Sequence, residues 1–102
     1  MILAVNAPDA GWRLRIERII EFDAEIWILA RLEHAPGPAA QVIRSARATL
    51  SVALPAKPRR VFVAGKTWNW TNDEPYEFVP SLEAVVPRAA GARVLYVAQG
   101  ND

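Results

Sequence analysis

The chain has 102 residues, of which 52% are hydrophobic and 23% are charged, a composition typical of one globular domain. Its formal net charge is only +1, whereas proteins that bind nucleic acid usually carry a marked basic excess, so we expect no nucleic-acid partner. Cysteine is absent, which excludes disulfides and thiolate metal sites. We therefore expect a single domain over residues 1–102, without a metal or a cofactor.

The hydrophobic segments are short. The opening nine residues have no basic stretch and only a brief apolar run, unlike a secretory signal peptide. Charged residues or prolines interrupt every other apolar run well before the roughly 18 residues that a membrane helix requires. These features predict a cytoplasmic protein with no membrane partner.

Two alternating segments predict a β-hairpin. Apolar and polar residues alternate over residues 12–17 and again over 26–33, and a period of two is typical of strands. The connection at residues 21–24 is short enough for a hairpin. Residues 26–30 are apolar on both sides of the predicted strand, which indicates a central strand covered on both faces.

The segment after this hairpin fits two patterns. Pro36, Gly37 and Pro38 stop any regular element and make the chain turn. Residues 42–54 then alternate as a strand would, but their apolar residues also fit one stripe of a helix. Thr49 and Val52 favour the strand, so we interpret this segment as a strand and keep the helix as the alternative.

The last third of the chain is divided by prolines and glycines. Apolar runs predict strands over residues 60–64 and 93–98 and a short one over 76–79. Ser81, as an N-cap, and Glu83, in the first turn, predict one short helix near 81–86. Residues 100–102 are interpreted as a polar tail.

Together these elements predict a mainly β fold, with α+β as the alternative. The expected architecture is a small antiparallel sandwich or barrel of about six strands with the one short helix. A single flat sheet would leave one apolar face in water, so a second layer or closure is required.

Several features of residues 10–58 follow one another in a characteristic order. Gly11-Trp12 leads into an alternating strand, a turn and a second strand; Pro36-Gly37-Pro38, the pair Gln41-Val42 and a third strand closed by proline come next. This half of the chain resembles the small β domain of the protease-complex accessory subunit PrcB family. The resemblance implies a non-catalytic domain that binds and stabilises a partner protease. Ser45-Ala46-Arg47 stands where the family has an aromatic-proline pair.

Residues 65–79 contain four of the nine aromatic residues of the chain among polar residues. Trp68 and Trp70 are two positions apart and would share one face of an extended strand. They either pack onto the core or form a flat apolar platform beside polar groups. The candidate binding residues in this segment are Trp68, Trp70, Asn72, Asp73, Glu74 and Tyr76.

No catalytic constellation emerges from the sequence. His34 is the only histidine and is expected to be an exposed residue at a strand end rather than a general base. Gly65-Lys66-Thr67 lacks the earlier glycine of a phosphate-binding loop, because position 60 is Arg60. Asp73, Glu74 and Glu77 are interpreted as solvated carboxylates rather than an acid–base pair. We therefore expect no enzyme.

The sequence favours a non-catalytic protein-interaction module. It would bind or stabilise an unidentified partner protein through residues 65–79 or through a sheet edge. One alternative is a homo-oligomeric structural protein, such as a homodimer, whose aromatic residues are covered by a second copy. The other is a small-ligand or carbohydrate-binding domain with a pocket beside the indoles.

Overall fold

The computed structural model describes residues 1–99, and the predicted polar tail at 100–102 lies outside the described residues. Seven strands are present within residues 1–99, arranged in a two-stranded sheet of order β1-β4 and a five-stranded sheet of order β6-β5-β3-β2-β7. The prediction of a mainly β fold is confirmed. The strands are β1 (Ile2–Ala7), β2 (Trp12–Glu21), β3 (Ile26–His34), β4 (Arg44–Thr49), β5 (Arg59–Ala64), β6 (Glu77–Val79) and β7 (Arg93–Val97).

The predicted hairpin is formed by β2 and β3, which pair antiparallel with Leu14 opposite Leu32 and Ile19 opposite Ile28. The third strand lies at the centre of the five-stranded sheet. Its side chains alternate between two apolar clusters, one on each face of the sheet. Both the hairpin and the doubly covered central strand are therefore confirmed.

The larger cluster fills the space between the two sheets. It is formed by alternate side chains from both sheets, including Leu3 and Val5 of β1, Ile16 of β2 and Ala46 of β4. Val5 is completely buried, and full burial of a side chain of this size contributes about 1.5–3 kcal/mol to folding. The two-stranded sheet is therefore held by its apolar inner face.

The smaller cluster covers the opposite face of the five-stranded sheet. Its buried members include Trp27 and Phe62 from the sheet and Leu82 and Val85 from the chain that crosses it. Two short 3-10 turns, Leu82–Ala84 and Val86–Ala89, supply this layer. Ser81 caps the first turn, because its Oγ accepts a hydrogen bond from the backbone N–H of Ala84 at 3.3 Å.

Some details of the architecture differ from the sequence prediction. The strand count is seven because residues 2–7 form β1, and two tight 3-10 turns replace the predicted helix. Pro87 lies within the second turn, where a proline near the start fits helical geometry but the chain does not continue as an α-helix. Residues 42–54 contain a strand, as preferred, but only from Arg44 to Thr49.

The pairing of the strands also differs from a purely antiparallel arrangement. The fifth strand is parallel to both β3 and β6, whereas the other pairs are antiparallel. Within residues 1–99 no ladder joins β2 to β4, so the two sheets form a sandwich and do not close into a barrel. No helix in this part of the chain has the length and apolarity needed to cross a membrane.

Candidate functional site

Trp68 is a half-buried residue that packs against the larger apolar cluster. Its ring meets that of Trp12 edge to face at a centroid distance of 5.0 Å, and Trp12 in turn meets His34 at 5.2 Å. Such contacts are favourable because the positive edge of one ring faces the negative face of another. Trp68 therefore serves mainly as a packing residue.

Trp70 extends the same row of rings outward. Its ring centroid lies 5.5 Å from that of Trp68, and 37% of the residue is exposed. The two indoles lie side by side, although residues 65–71 do not form the extended strand on which the prediction rested. The ammonium of Lys66 stands over Trp68 and Phe78, at 5.7 and 5.0 Å from their ring centroids. Trp70 is thus the accessible member of the pair.

The polar residues after Trp70 cover one edge of β1. The Asn72 amide donates to the carbonyl of Asn6 at 2.8 Å, and Oε2 of Glu74 accepts from the backbone N–H of Asn6 at 2.9 Å. The hydroxyl of Tyr76 accepts from the backbone N–H of Ala4 at 3.3 Å. A β-strand edge is a row of unpaired backbone groups, and here side chains satisfy three of them. Three of the candidate binding residues therefore form hydrogen bonds with the backbone of β1.

The remaining acidic residues of the segment, Asp73 and Glu77, have different surroundings. Asp73 is exposed. Glu77 is engaged with Arg60 through two hydrogen bonds of 2.8 and 2.9 Å. These bonds lower the pKa of the Glu77 carboxyl below its ordinary value and raise that of the Arg60 guanidinium. Within residues 1–99 no group of three or more possible metal ligands comes together.

His34 is held at the end of β3 by two contacts. Its Nε2 lies 2.8 Å from Oδ1 of Asp9, and its Nδ1 lies 2.7 Å from the carbonyl oxygen of Ala35. The backbone N–H of Gly11 donates to Asp9 at 2.7 Å, and this bond is the main reason that the pKa of Asp9 is lowered. The cluster ties the start of β2 to the end of β3, and no serine or other nucleophile takes part in these bonds.

The outer edge of β4 contrasts with that of β1. Met1 and Leu50 exchange two backbone hydrogen bonds of 2.8 Å. In an antiparallel ladder, bonded and non-bonded pairs alternate. The register of β1 and β4 therefore turns the N–H and C=O groups of Ser45, Arg47 and Thr49 away from β1.

These outward groups of β4 have no hydrogen-bond partner within residues 1–99. On β1, by contrast, the outward N–H of Ala4 and both the N–H and the C=O of Asn6 are bonded to side chains. Six residues of β4 thus form an open edge, which we call the open β4 edge. An open edge of this kind is a template on which another extended chain can pair.

A groove of about 310 Å³ lies between the open β4 edge and β2. Buried Leu14 and Ile16 and half-buried Leu50 and Tyr96 contribute its apolar surface. Arg15 and Arg47 also line it. The complete lining is Leu14, Arg15, Ile16, Arg47, Ala48, Thr49, Leu50 and Tyr96, and it includes no carboxylate.

This groove was not predicted from the sequence. Arg44 and Arg47 in an alternating segment were a visible sign of an exposed strand. The position of β4 beside β2, however, depends on how the two sheets pack. The comparisons with protein-family models, with curated proteins and with solved structures found no match. The PrcB-like character of residues 10–58 therefore stays a prediction.

Proposed function

We propose that this domain is a non-catalytic protein-interaction module that binds an extended segment of a partner protein along the open β4 edge. The observation that carries the proposal is a difference between the two edges of the two-stranded sheet in the hydrogen bonding of their outward backbone groups. Side chains of Asn72, Glu74 and Tyr76 cover the β1 edge at Ala4 and Asn6, whereas the edge of β4 is left uncovered. Natural proteins commonly protect the edges at which pairing would be harmful.

The groove beside the open β4 edge supports the same role. A strand that pairs with β4 would turn every second side chain toward the groove, where half-buried Leu50 and Tyr96 are part of the lining. Main-chain hydrogen bonds would supply affinity, and the alternate side chains would supply specificity. Residues 65–79 then act by completing the other edge, with Trp70 and Asp73 as the accessible candidate residues.

A selection from a random peptide library displayed on phage tests the proposal. We expect selected peptides to slow amide hydrogen exchange at Arg47 and Thr49, because these N–H groups become hydrogen-bonded. Arg47→Pro removes one outward N–H, and proline is tolerated at a strand edge. We expect it to weaken binding by about tenfold or more, since one lost hydrogen bond leaves its peptide partner unpaired.

A second form of the test leaves the protein unchanged. Only every second backbone amide of a paired strand faces its neighbour. Two versions of a selected peptide are therefore compared, one methylated at the odd-numbered backbone amides and one at the even-numbered amides. Only the version that lacks the N–H groups facing β4 should lose binding. Selected peptides that protect only residues around Trp70 would contradict the proposed edge. A library that yields no specific binder would contradict the proposed function.

A further inference from the structure

The charges around the groove indicate what kind of segment would bind there. The lining of the groove includes no carboxylate, and the strand that borders it carries the exposed Arg47, although the whole chain has a net charge of only +1. Arg47 makes no ion pair within residues 1–99, and neither does Arg44 at the start of the same strand. Arg15, in contrast, forms an ion pair with Glu17 at 3.3 Å. The open β4 edge therefore carries uncompensated positive charge.

Most of the acidic side chains of the domain are engaged away from this groove. Glu21 pairs with Lys57 at 2.8 Å, Glu77 pairs with Arg60 at 2.7 Å, and Asp9 lies beside His34. These pairs leave the basic groups of β4 without a local counter-charge. Complementary charge on a partner would speed its encounter and fix its register.

Arg47 disfavours a second copy of this chain at the edge. Two β4 strands paired antiparallel about Arg47 would place Arg47 of one copy directly opposite Arg47 of the other. Like charges opposite one another destabilise a strand pair. A different protein with acidic residues is therefore the occupant that the edge fits.

The alternation of β4 sets the pattern of that acidic segment. Ala46 is buried and Ala48 is half-buried on the inner side, whereas Ser45, Arg47 and Thr49 are exposed on the outer side. Paired neighbours in a sheet point to the same face. A bound segment would thus place apolar side chains inward, over the groove, and acidic ones outward, beside Arg47.

We infer that the partner of this domain presents an extended segment that alternates apolar and acidic residues and is about as long as β4. This inference rests on the proposed function and adds the chemistry of the partner to it. Arg47 is the residue that selects the acidic positions. Leu50 and Tyr96, which are half-buried and line the groove, receive the apolar ones.

Three labelled peptides of alternating sequence test the inference by fluorescence anisotropy. Each has valine at every second position; the positions between are glutamate in the first, glutamine in the second and lysine in the third. We expect the glutamate peptide to bind about tenfold more tightly than the glutamine peptide at low salt and the lysine peptide to bind most weakly. The preference for glutamate should shrink as salt is raised, because exposed charges are screened.

Two protein variants locate the effect. Arg47→Gln should reduce the glutamate preference several-fold, whereas the control Arg59→Gln, on β5, should leave it unchanged. Arg59 is also exposed and makes no ion pair within residues 1–99. The glutamate and glutamine peptides could bind equally tightly and still protect the Arg47 and Thr49 amides from exchange. That result would overturn the acidic preference and leave the proposed function standing. Failure of all three peptides and of library selection to protect these amides would overturn both.

Discussion

Trp68 and Asn72 are joined by a hydrogen bond of 2.8 Å from the indole Nε1 to the amide Oδ1. The amide nitrogen of Asn72 in turn donates a hydrogen bond to the carbonyl of Asn6 in β1. A tryptophan of the apolar cluster is thereby linked to the covered edge of the two-stranded sheet. Residues that were predicted to form a binding surface therefore stabilise the contact between this segment and β1.

Asn72→Ala should lower the free energy of unfolding by about 1–2 kcal/mol, because the Trp68 indole and the Asn6 carbonyl both lose a partner. Urea unfolding measures the change. Asn69→Ala is the matched control, because Asn69 is exposed and its side chain makes no hydrogen bond within residues 1–99; its effect should stay within about 0.5 kcal/mol. Equal losses for the two variants would contradict the role of Asn72.

The two neighbouring indoles should respond differently to truncation. Trp68→Ala removes a ring packed against the core and should lower stability by about 2–4 kcal/mol, whereas Trp70→Ala should cost under about 1 kcal/mol. Acrylamide quenching gives an independent readout. Trp70→Phe should remove the most readily quenched part of the fluorescence, and Trp68→Phe should not. A protected Trp70 indole would be inconsistent with the exposure described above.

Gly65 lies where only glycine fits, for two separable reasons. Its φ is +100°, and an added Cβ would lie 2.1 Å from the backbone oxygen of Leu32. Gly91 has a similar φ of +84°, but an added Cβ there would meet no heavy atom within 4 Å. Gly91→Ala should therefore cost about 1–2 kcal/mol from backbone strain alone.

Gly65→Ala should cost at least about 2 kcal/mol more than Gly91→Ala, because the Leu32 carbonyl belongs to the central strand and must move. Chemical denaturation of both variants gives the comparison. Similar losses at the two positions would show that β3 yields to the new methyl group.

The ion pair between Glu77 and Arg60 predicts a pH dependence. The pKa of Glu77 is lowered from 4.5 in the folded protein, chiefly by its hydrogen bond to Arg60. A carboxyl with a depressed folded pKa stabilises the fold above its ordinary pKa, and that contribution is lost as the pH falls through the folded value. Glu77→Gln should therefore lower the melting temperature at neutral pH.

The difference in melting temperature between the wild type and Glu77→Gln should narrow steadily below about pH 4.5. Glu33→Gln is the control, since Glu33 is exposed and forms no ion pair in the described part of the chain. A Glu77 difference that persists undiminished in acid would assign the effect to packing and not to charge.

The local parts of the fold could be predicted from the sequence because their signals are local. The alternation of residues 12–17 and 26–33 specified the hairpin, the doubly apolar run at 26–30 specified the central strand, and Ser81 specified a capped turn. The strand β1 was missed, since its apolar run was considered only as a possible leader. The parallel pairing of β5 was also missed, because it depends on contacts between distant segments.

The candidate site shows the same limit. The side chains of Asn72, Glu74 and Tyr76 are polar and lie beside tryptophans, a combination that also describes a binding surface. Their bonds to Ala4 and Asn6 span more than 60 residues of sequence, and no local pattern indicates them. The open β4 edge likewise became visible only when the register of β1 and β4 and the covered opposite edge were known.

Amide hydrogen exchange of the free protein and of the protein with a library-selected peptide tests the central claim most directly. In the free protein, the amides of Arg47 and Thr49 should exchange quickly, while those of Ala4 and Asn6 are slowed by their side-chain partners. The bound peptide should then slow Arg47 and Thr49 and leave Ala4 and Asn6 unchanged. Slow exchange at Arg47 and Thr49 in the free protein would contradict the open β4 edge, and unchanged fast exchange with peptide bound would contradict its role in binding.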